Sequence, residues 1–210
     1  MSFFHEKTNI IYFHCLACEF IFKSIEHYQD FSSQKERYNL HQNNEDSEGY
    51  RVYFQRFLDF TLPSLVDVKT ALDFGCGRTS LLASMLEKNG ISCDYYDPIY
   101  HPSHLDENKK YSLIVSTEVF EHLHKPIEVF AYLIDKLEEG GYLAIQTEFH
   151  PNNIEDFKKW YYHKDPTHIV FFTKKSFQIL ASLNVATLLI DNGKNMVLIQ
   201  KKTKKEYSLL

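Results

Sequence analysis

Residues 70–77, Thr-Ala-Leu-Asp-Phe-Gly-Cys-Gly, decide how this chain is read. Thr70 to Phe74 form a short apolar run of the kind buried in a parallel sheet. Gly75 and Gly77 let the backbone turn tightly and come close to a ligand. Thr79 or Ser80 is placed to cap a helix, whose apolar positions Leu82, Met85 and Leu86 keep helical spacing until Gly90 stops it. Ile91 to Tyr96 reads as a second strand and ends in Asp97-Pro98. Strand, glycine turn, helix, strand and acid make half of a nucleotide-binding α/β unit, with Asp97 where a ribose hydroxyl would lie.

C-terminal to this unit, only thirteen residues (98–110) separate Asp97 from Tyr111. A helix with a further strand needs roughly twenty. The usual second helix and third strand are therefore expected to be reduced or lost. Asp106 is the candidate there for an adenine amino group, against the plainer reading of an exposed loop acid. Tyr111 to Thr117 is the next buried strand, followed by the loop Glu118 to His124. Pro126 suits the first turn of a helix whose inner face is expected to carry Ile127, Phe130, Ile134 and Leu137, with Gly140-Gly141 ending it. Tyr142 to Phe149 reads as a strand, and residues 150–169 as a long loop containing Trp160-Tyr161-Tyr162. Those three aromatics either stack on an acceptor or pack as a lid. Phe177, Leu180 and Ala181 mark a short helix. Val185 to Ile190 and Met196 to Gln200, joined by Asp191-Asn-Gly193, predict a hairpin. The basic tail Lys201 to Lys205 reads as a solvated end.

On the N-terminal side, Ile10 to Phe22 suggests short strands around Cys15-Leu-Ala-Cys18. One Cys-x-x-Cys is half of a zinc ribbon, and the chain has no second one. His5, His14 or His27 would have to complete a site, so a ribbon packed by its aromatics is the simpler expectation, with zinc at Cys15/Cys18 disfavoured. Residues 31–48 are the most polar stretch and read as a cover loop, with Tyr38 and His41 either lining a cleft or packing the cover. Tyr50, Tyr53, Phe54, Phe57 and Leu58 recur at helical spacing up to Pro63.

Taken together, Asp73, Gly75, Gly77, Asp97 and the downstream Glu118-Val-Phe-Glu-His122 resemble the class I S-adenosylmethionine (SAM) dependent methyltransferases over roughly residues 50–200. The resemblance implies a Rossmann-like α/β fold. That fold is a mostly parallel sheet with helices on both faces and a C-terminal antiparallel hairpin, here with a small N-terminal appendage. The expected division is an appendage and cover over 1–48 and a methyltransferase domain over 49–210. The appendage looks like a shortened form of the cysteine-rich leader of some bacterial relatives. Implied cofactor contacts are Asp73, Gly75, Cys76, Gly77, Asp97, Thr117 and Glu118. The glycine turn would approach the methionine portion, Asp73 would orient the turn or accept from the amino group, and Asp97 would accept from both ribose hydroxyls. An NAD-linked oxidoreductase fits less well, because Ser80 stands where a dinucleotide motif has its third glycine.

A second constellation is Glu118, Glu121, His122 and the distant His168. Two carboxylates and two imidazoles facing one cleft suit a Mg or Mn ion, which would lower the pKa of an attacking hydroxyl. The pattern is similar to metal-assisted O-methyltransferases of ubiquinone biosynthesis and of small-RNA 2′-hydroxyls. The competing readings make His122 or His168 a general base, or give the group structural roles alone.

Composition bounds the rest. A formal charge of −5 lacks the basic groove that phosphate backbones need, so a nucleic-acid acceptor is disfavoured. No apolar run is long enough to span a bilayer, and the first residues do not resemble a signal peptide, which gives a cytoplasmic expectation. Four cysteines, two of them (Cys76 and Cys93) inside the nucleotide unit, are expected to be reduced packing residues. The reading is a SAM-dependent methyltransferase acting on an oxygen of a small molecule. Its rivals are a catalytically idle scaffold of the same fold and an RNA 2′-O-methyltransferase.

Overall fold

The computed structural model describes residues 1–29, 48–102 and 105–207. Three short strands open the chain: β1 (Ser2–His5), β2 (Ile10–His14) and β3 (Ile21–Lys23). The amphipathic helix α1 (Glu48–Thr61) follows, burying Phe54, Phe57 and Leu58 as its spacing predicts. Tyr38 and His41 lie outside the described residues. The glycine-turn unit is β4 (Thr70–Phe74), α2 (Leu81–Lys88) and β5 (Ser92–Tyr96). Then come β6 (Tyr111–Thr117), α3 (Pro126–Lys136), β7 (Leu137–Gln146), the short α4 (Ile154–Lys159), β8 (Val170–Phe171), α5 (Lys174–Leu183), β9 (Ala186–Asp191), β10 (Met196–Lys201) and the terminal turn α6 (Lys204–Tyr207).

Six strands make the central sheet in the order β5-β4-β6-β7-β10-β9. The first four are parallel, and β10 runs antiparallel to both β7 and β9. The hairpin therefore closes the fold by inserting its last strand beside β7. Because side chains alternate across a strand, each central strand feeds two cores. Leu113, Val115, Ala144 and Leu198 face α1 and α2. Ile114, Leu143, Ile145, Val197 and Ile199 face α3 and α5. Among the described residues no strand follows β5 on its open side, in keeping with the shortened 98–110 segment. Asp106 there is exposed and accepts the backbone N–H of Asn108 in a local turn.

Four expectations are corrected. Ile127 is 61% exposed, because Pro126, Phe130, Leu133 and Ile134 form the i, i+4, i+7, i+8 stripe that meets the core and Ile127 lies one residue's rotation off it. Gly140-Gly141 do not end α3. Leu137 is already extended and pairs with Tyr111, and the two glycines sit where the β6–β7 register shifts. Neither Thr79 nor Ser80 caps α2 by its side chain; Ser80 occupies the cap position in a left-handed conformation (φ 45°). The basic tail is solvated at Lys204 and Lys205 but not at its start, where Lys201 Nζ donates to the carbonyl of Leu137.

The N-terminal strands form a second sheet, β1-β2-β3-β8, so the leader shares a sheet with a strand of the 49–210 region. Tyr12, Ile21, Phe157, Tyr162 and Phe171 make its own small core. Cys15 and Cys18 occupy the β2–β3 turn as free thiols, and the described residues bring no histidine to them as a metal-ligand cluster. His5 instead contacts the Lys158 carbonyl at 2.9 Å. Cys76 and Cys93 are free and buried.

Candidate active site

Both constellations lie at the carboxyl ends of the parallel strands, where an open α/β sheet binds ligands. The first begins at the end of β4. Gly75 adopts φ +82°, and a Cβ there would lie 2.2 Å from Val119 Cγ2, so this turn must be glycine for packing as well as conformation. Gly77 (φ +67°) has open space where a Cβ would be, leaving its backbone accessible to a ligand. Asp97 follows β5 and ties the turn down: its Oδ2 accepts from Gly77 N (3.1 Å), and its Oδ1 from Ile99 N (2.8 Å) and Tyr100 N (2.9 Å). A carboxylate oxygen has two lone pairs, so Oδ1 is saturated and Oδ2 has one site left. Among the described residues, Asp97 Oδ2 keeps room for a further donor, the position expected of a ribose hydroxyl.

Asp73 is 1% exposed, and its Oδ2 has no hydrogen-bond partner. Burial pushes its carboxyl up to about 7, against a lowering contact from the Ala83 backbone at the start of α2. An orphaned buried carboxylate oxygen beneath a glycine turn with open space fits the ammonium head of SAM. Thr117 ends β6 opposite Gln146, and Cys76 is buried in the turn itself.

The second constellation follows β6. Glu118 takes the left-handed region (φ 54°), a conformation that costs a non-glycine residue about 1 kcal/mol and directs the chain into the one-turn 3₁₀ helix Phe120–His122. Tyr53 of α1 donates to Glu118 Oε1 at 2.7 Å. Tyr162 Oη lies 2.6 Å from Glu121 Oε1 and 2.9 Å from Glu118 Oε2. One phenol proton can serve only one of these oxygens, so the arrangement needs a second proton or a cation between the carboxylates. Desolvation raises the pKa of both acids, and for Glu118 the charge of Glu121 adds to it. Glu118 is solvent-accessible and so better screened, whereas the Glu121 side chain is wholly buried with Oε2 unpartnered.

Two imidazoles complete the group. His122 Nδ1 is 3.0 Å from the Thr167 carbonyl and His168 Nδ1 is 2.8 Å from the Tyr162 carbonyl. A carbonyl only accepts, so each Nδ1 carries the proton and each Nε2 the lone pair. Desolvation lowers both pKa values; His168, with His122 beside it, falls to about 3. Ligand atoms of Glu121, His122 and His168 all lie within 4.8 Å of one another.

The structure brings together all four residues expected from sequence, Glu118, Glu121, His122 and His168, and adds three. Tyr53 and Tyr162 bind the carboxylates. Lys23, 1% exposed, donates from Nζ to the carbonyls of Asp165 (3.1 Å) and Pro166 (3.4 Å), holding the segment that carries Thr167 and His168. Of the aromatic trio, Tyr162 reaches the site, Trp160 packs against the ribbon core and Tyr161 is exposed. Tyr53 was visible only as a helical core position, and Lys23 left no signal.

A family model described as a methyltransferase domain matches residues 46–182. The chain belongs to this methyltransferase family. It has the class I fold and is a SAM-dependent methyltransferase. A search of curated proteins returns no match. Among solved structures, the methyltransferase is similar to a candidate sarcosine dimethylglycine methyltransferase from Galdieria sulphuraria (TM-score 0.63, 13% identity, covering 82% of this chain and 98% of that one). It is also similar to magnesium protoporphyrin IX methyltransferase from Synechocystis PCC 6803 with bound SAH (0.54, 11%, 82% and 95%). A third likeness is to the complex of the Haloferax volcanii Trm112 methyltransferase activator with its methyltransferase (0.55, 11%, 74% and 93%). At these identities the likeness is one of fold. No helix among the described residues is long and apolar enough to cross a membrane.

Proposed function

We propose that this methyltransferase acts on a hydroxyl oxygen of a small-molecule acceptor and uses Glu121, His122 and His168 to hold a divalent cation, with Glu118 beside it. The observation that carries this reading is the buried, half-partnered Glu121 carboxylate facing two imidazoles whose Nδ1 protons are committed to backbone carbonyls. Second contacts of that kind orient metal-ligating histidines. Burial keeps both rings neutral, the ligating form, and an imidazole with a pKa near 3 is a poor general base at neutral pH.

SAM supplies an electrophilic methyl on a sulfonium centre. The chain's part is to position and to exclude water. Gly75 and Gly77 would present backbone to the methionine portion, Asp73 Oδ2 would accept from its ammonium, and Asp97 Oδ2 would accept from a ribose hydroxyl. Cys76, Thr117 and the Glu118 backbone border the same turn. A cation at the Glu-His-His group would lower the pKa of an acceptor hydroxyl. Tyr162 and Tyr53 keep Glu118 and Glu121 aligned meanwhile.

Calorimetric titration of S-adenosylhomocysteine (SAH) into metal-stripped protein, with and without Mn, tests both halves. Binding in the micromolar range is expected in either condition. Mn is expected to bind the wild type and to lose at least about tenfold in affinity in Glu121→Gln. Mn binding equal in the two proteins removes the cation reading, and failure of the folded protein to bind SAH removes the assigned cofactor contacts.

A further inference from the structure

The Cys15-Leu-Ala-Cys18 turn joins β2 to β3, and neither cysteine belongs to the acid–histidine group or to the glycine turn. We propose that it is a redox-active dithiol: Cys15 attacks a small-molecule disulfide of the glutathione class, and Cys18 resolves the adduct into an intramolecular disulfide. The turn is built for a pair. Cys15 N donates to the Phe20 carbonyl (2.9 Å) and Glu19 N to the Cys15 carbonyl (2.7 Å), so the chain folds back on itself between the two thiols. Glu19 takes the left-handed region (φ 63°), which a non-glycine residue keeps only where its surroundings hold it. Here the Glu19 carbonyl is 2.6 Å from His150 Nε2, its Oε2 accepts from Thr173 Oγ1 (3.0 Å), and Ser176 Oγ donates to the Cys18 carbonyl (2.9 Å). Cys18 is thereby fixed against the start of α5 and half-buried, while Cys15 is exposed.

Within the turn the two sulfurs have different tasks. The Cys18 N–H, the Cys18 thiol and the Ala17 N–H all face Cys15 Sγ and hold its thiol below the ordinary value. Burial raises the Cys18 thiol. The exposed member is therefore the thiolate that attacks, and the sheltered one keeps its proton until a mixed disulfide stands beside it. Cys15 Sγ bonds to one sulfur of the external disulfide, and the other half leaves as a thiolate that takes up a proton. Cys18, losing its proton to solvent, then attacks Cys15 Sγ and expels the second half in the same way. Two protein thiols become one disulfide, and the external disulfide is reduced to two thiols. Such a bond needs α-carbons roughly 4.4–6.8 Å apart, within the span of one hydrogen-bonded turn. Among the described residues neither cysteine joins a group of three metal-ligating side chains, which leaves the pair to sulfur chemistry. Cys76 and Cys93 are buried, and desolvation pushes both of their thiols up, so they stand outside the reaction.

Incubating the reduced full chain with oxidised glutathione, quenching with acid and mapping the products by mass spectrometry tests the site. The wild type is expected to pass to a Cys15–Cys18 disulfide without accumulating an adduct. Cys18→Ser should stall with one glutathionyl group on Cys15, and Cys15→Ser should react at least about tenfold more slowly. A second measurement needs no variant: iodoacetamide should alkylate Cys15 of the wild type at least about tenfold faster than Cys18, with Cys76 and Cys93 protected by the fold. A glutathionyl adduct that persists on the wild type, or equal alkylation rates at the two turn cysteines, overturns the pair. Neither measurement involves SAM or metal, so the dithiol stands or falls apart from the methyl-transfer reading.

Discussion

Asp73, proposed above to meet the SAM ammonium, places a buried carboxyl where it weighs on stability. Its buried Oδ2 has no partner, and its pKa is held near 7, above the ordinary value of 3.8. Between those two values the folded state keeps a proton that the unfolded state has released. Stability therefore falls as pH rises through this window, and the loss is complete above about 7. Asp73→Asn retains an oxygen for the Ala83 N–H and removes the buried charge. The variant is expected to gain on the order of 2 kcal/mol over the wild type at pH 8, little at pH 4, and to bind SAH more weakly. Urea unfolding at the two pH values with SAH calorimetry checks both, and a variant whose stability difference does not change with pH contradicts the account. Sequence named Asp73 because an acid two residues before a glycine turn is visible in order alone. It could not show that Asp97 spends three acceptor sites on the turn, since those bonds depend on how residues 97–100 fold back.

Among the elements, the ribbon and β8 determine where the histidines stand. β3 pairs with β8, Lys23 N donates to the Ile169 carbonyl, and Ile169 N donates to the Glu121 carbonyl. Backbone bonds thus run from the leader through the 165–171 segment to the 3₁₀ turn of the acid pair. Lys23 Nζ locks the start of this path, and burial lowers its pKa to about 8. Lys23→Met keeps the apolar stem and deletes two donations to carbonyls. It is expected to cost about 1–3 kcal/mol and to weaken Mn binding about tenfold, leaving SAH affinity unchanged. Thermal melts and parallel Mn and SAH titrations decide it, and equal weakening of both ligands would mean general damage. Periodicity revealed α1, the central strands and the hairpin because each buries a regular face. It misjudged Ile127 and Gly140-Gly141, where a one-residue rotation and a register shift decide burial. Lys23 was silent for a related reason: a buried lysine is chosen by two distant carbonyls, and no local pattern records them.

On the scale of the whole molecule, two half-sites meet at the loop after β6. One is built from β4, β5 and the glycine turn. The other is built from the 162–168 segment and is braced by the second sheet. Val119 joins them, since Gly75 has no room for a side chain against it, while Glu118 and Glu121 in the same loop meet Tyr162. If the ligands are assigned correctly, they should protect different parts of the chain in native-state hydrogen exchange. SAH at about a hundredfold over its dissociation constant should slow local openings near Gly77, Ile99 and Tyr100 by up to about a hundredfold. Mn at comparable excess should instead slow Ile169 and the β3–β8 pairs, while β6 and β7 exchange only by the largest openings in either case. Protection of both regions by SAH alone would show that the half-sites open as one unit. In that event the ribbon would be part of the cofactor lid, and its role as an independent brace for the acceptor side would have to be abandoned.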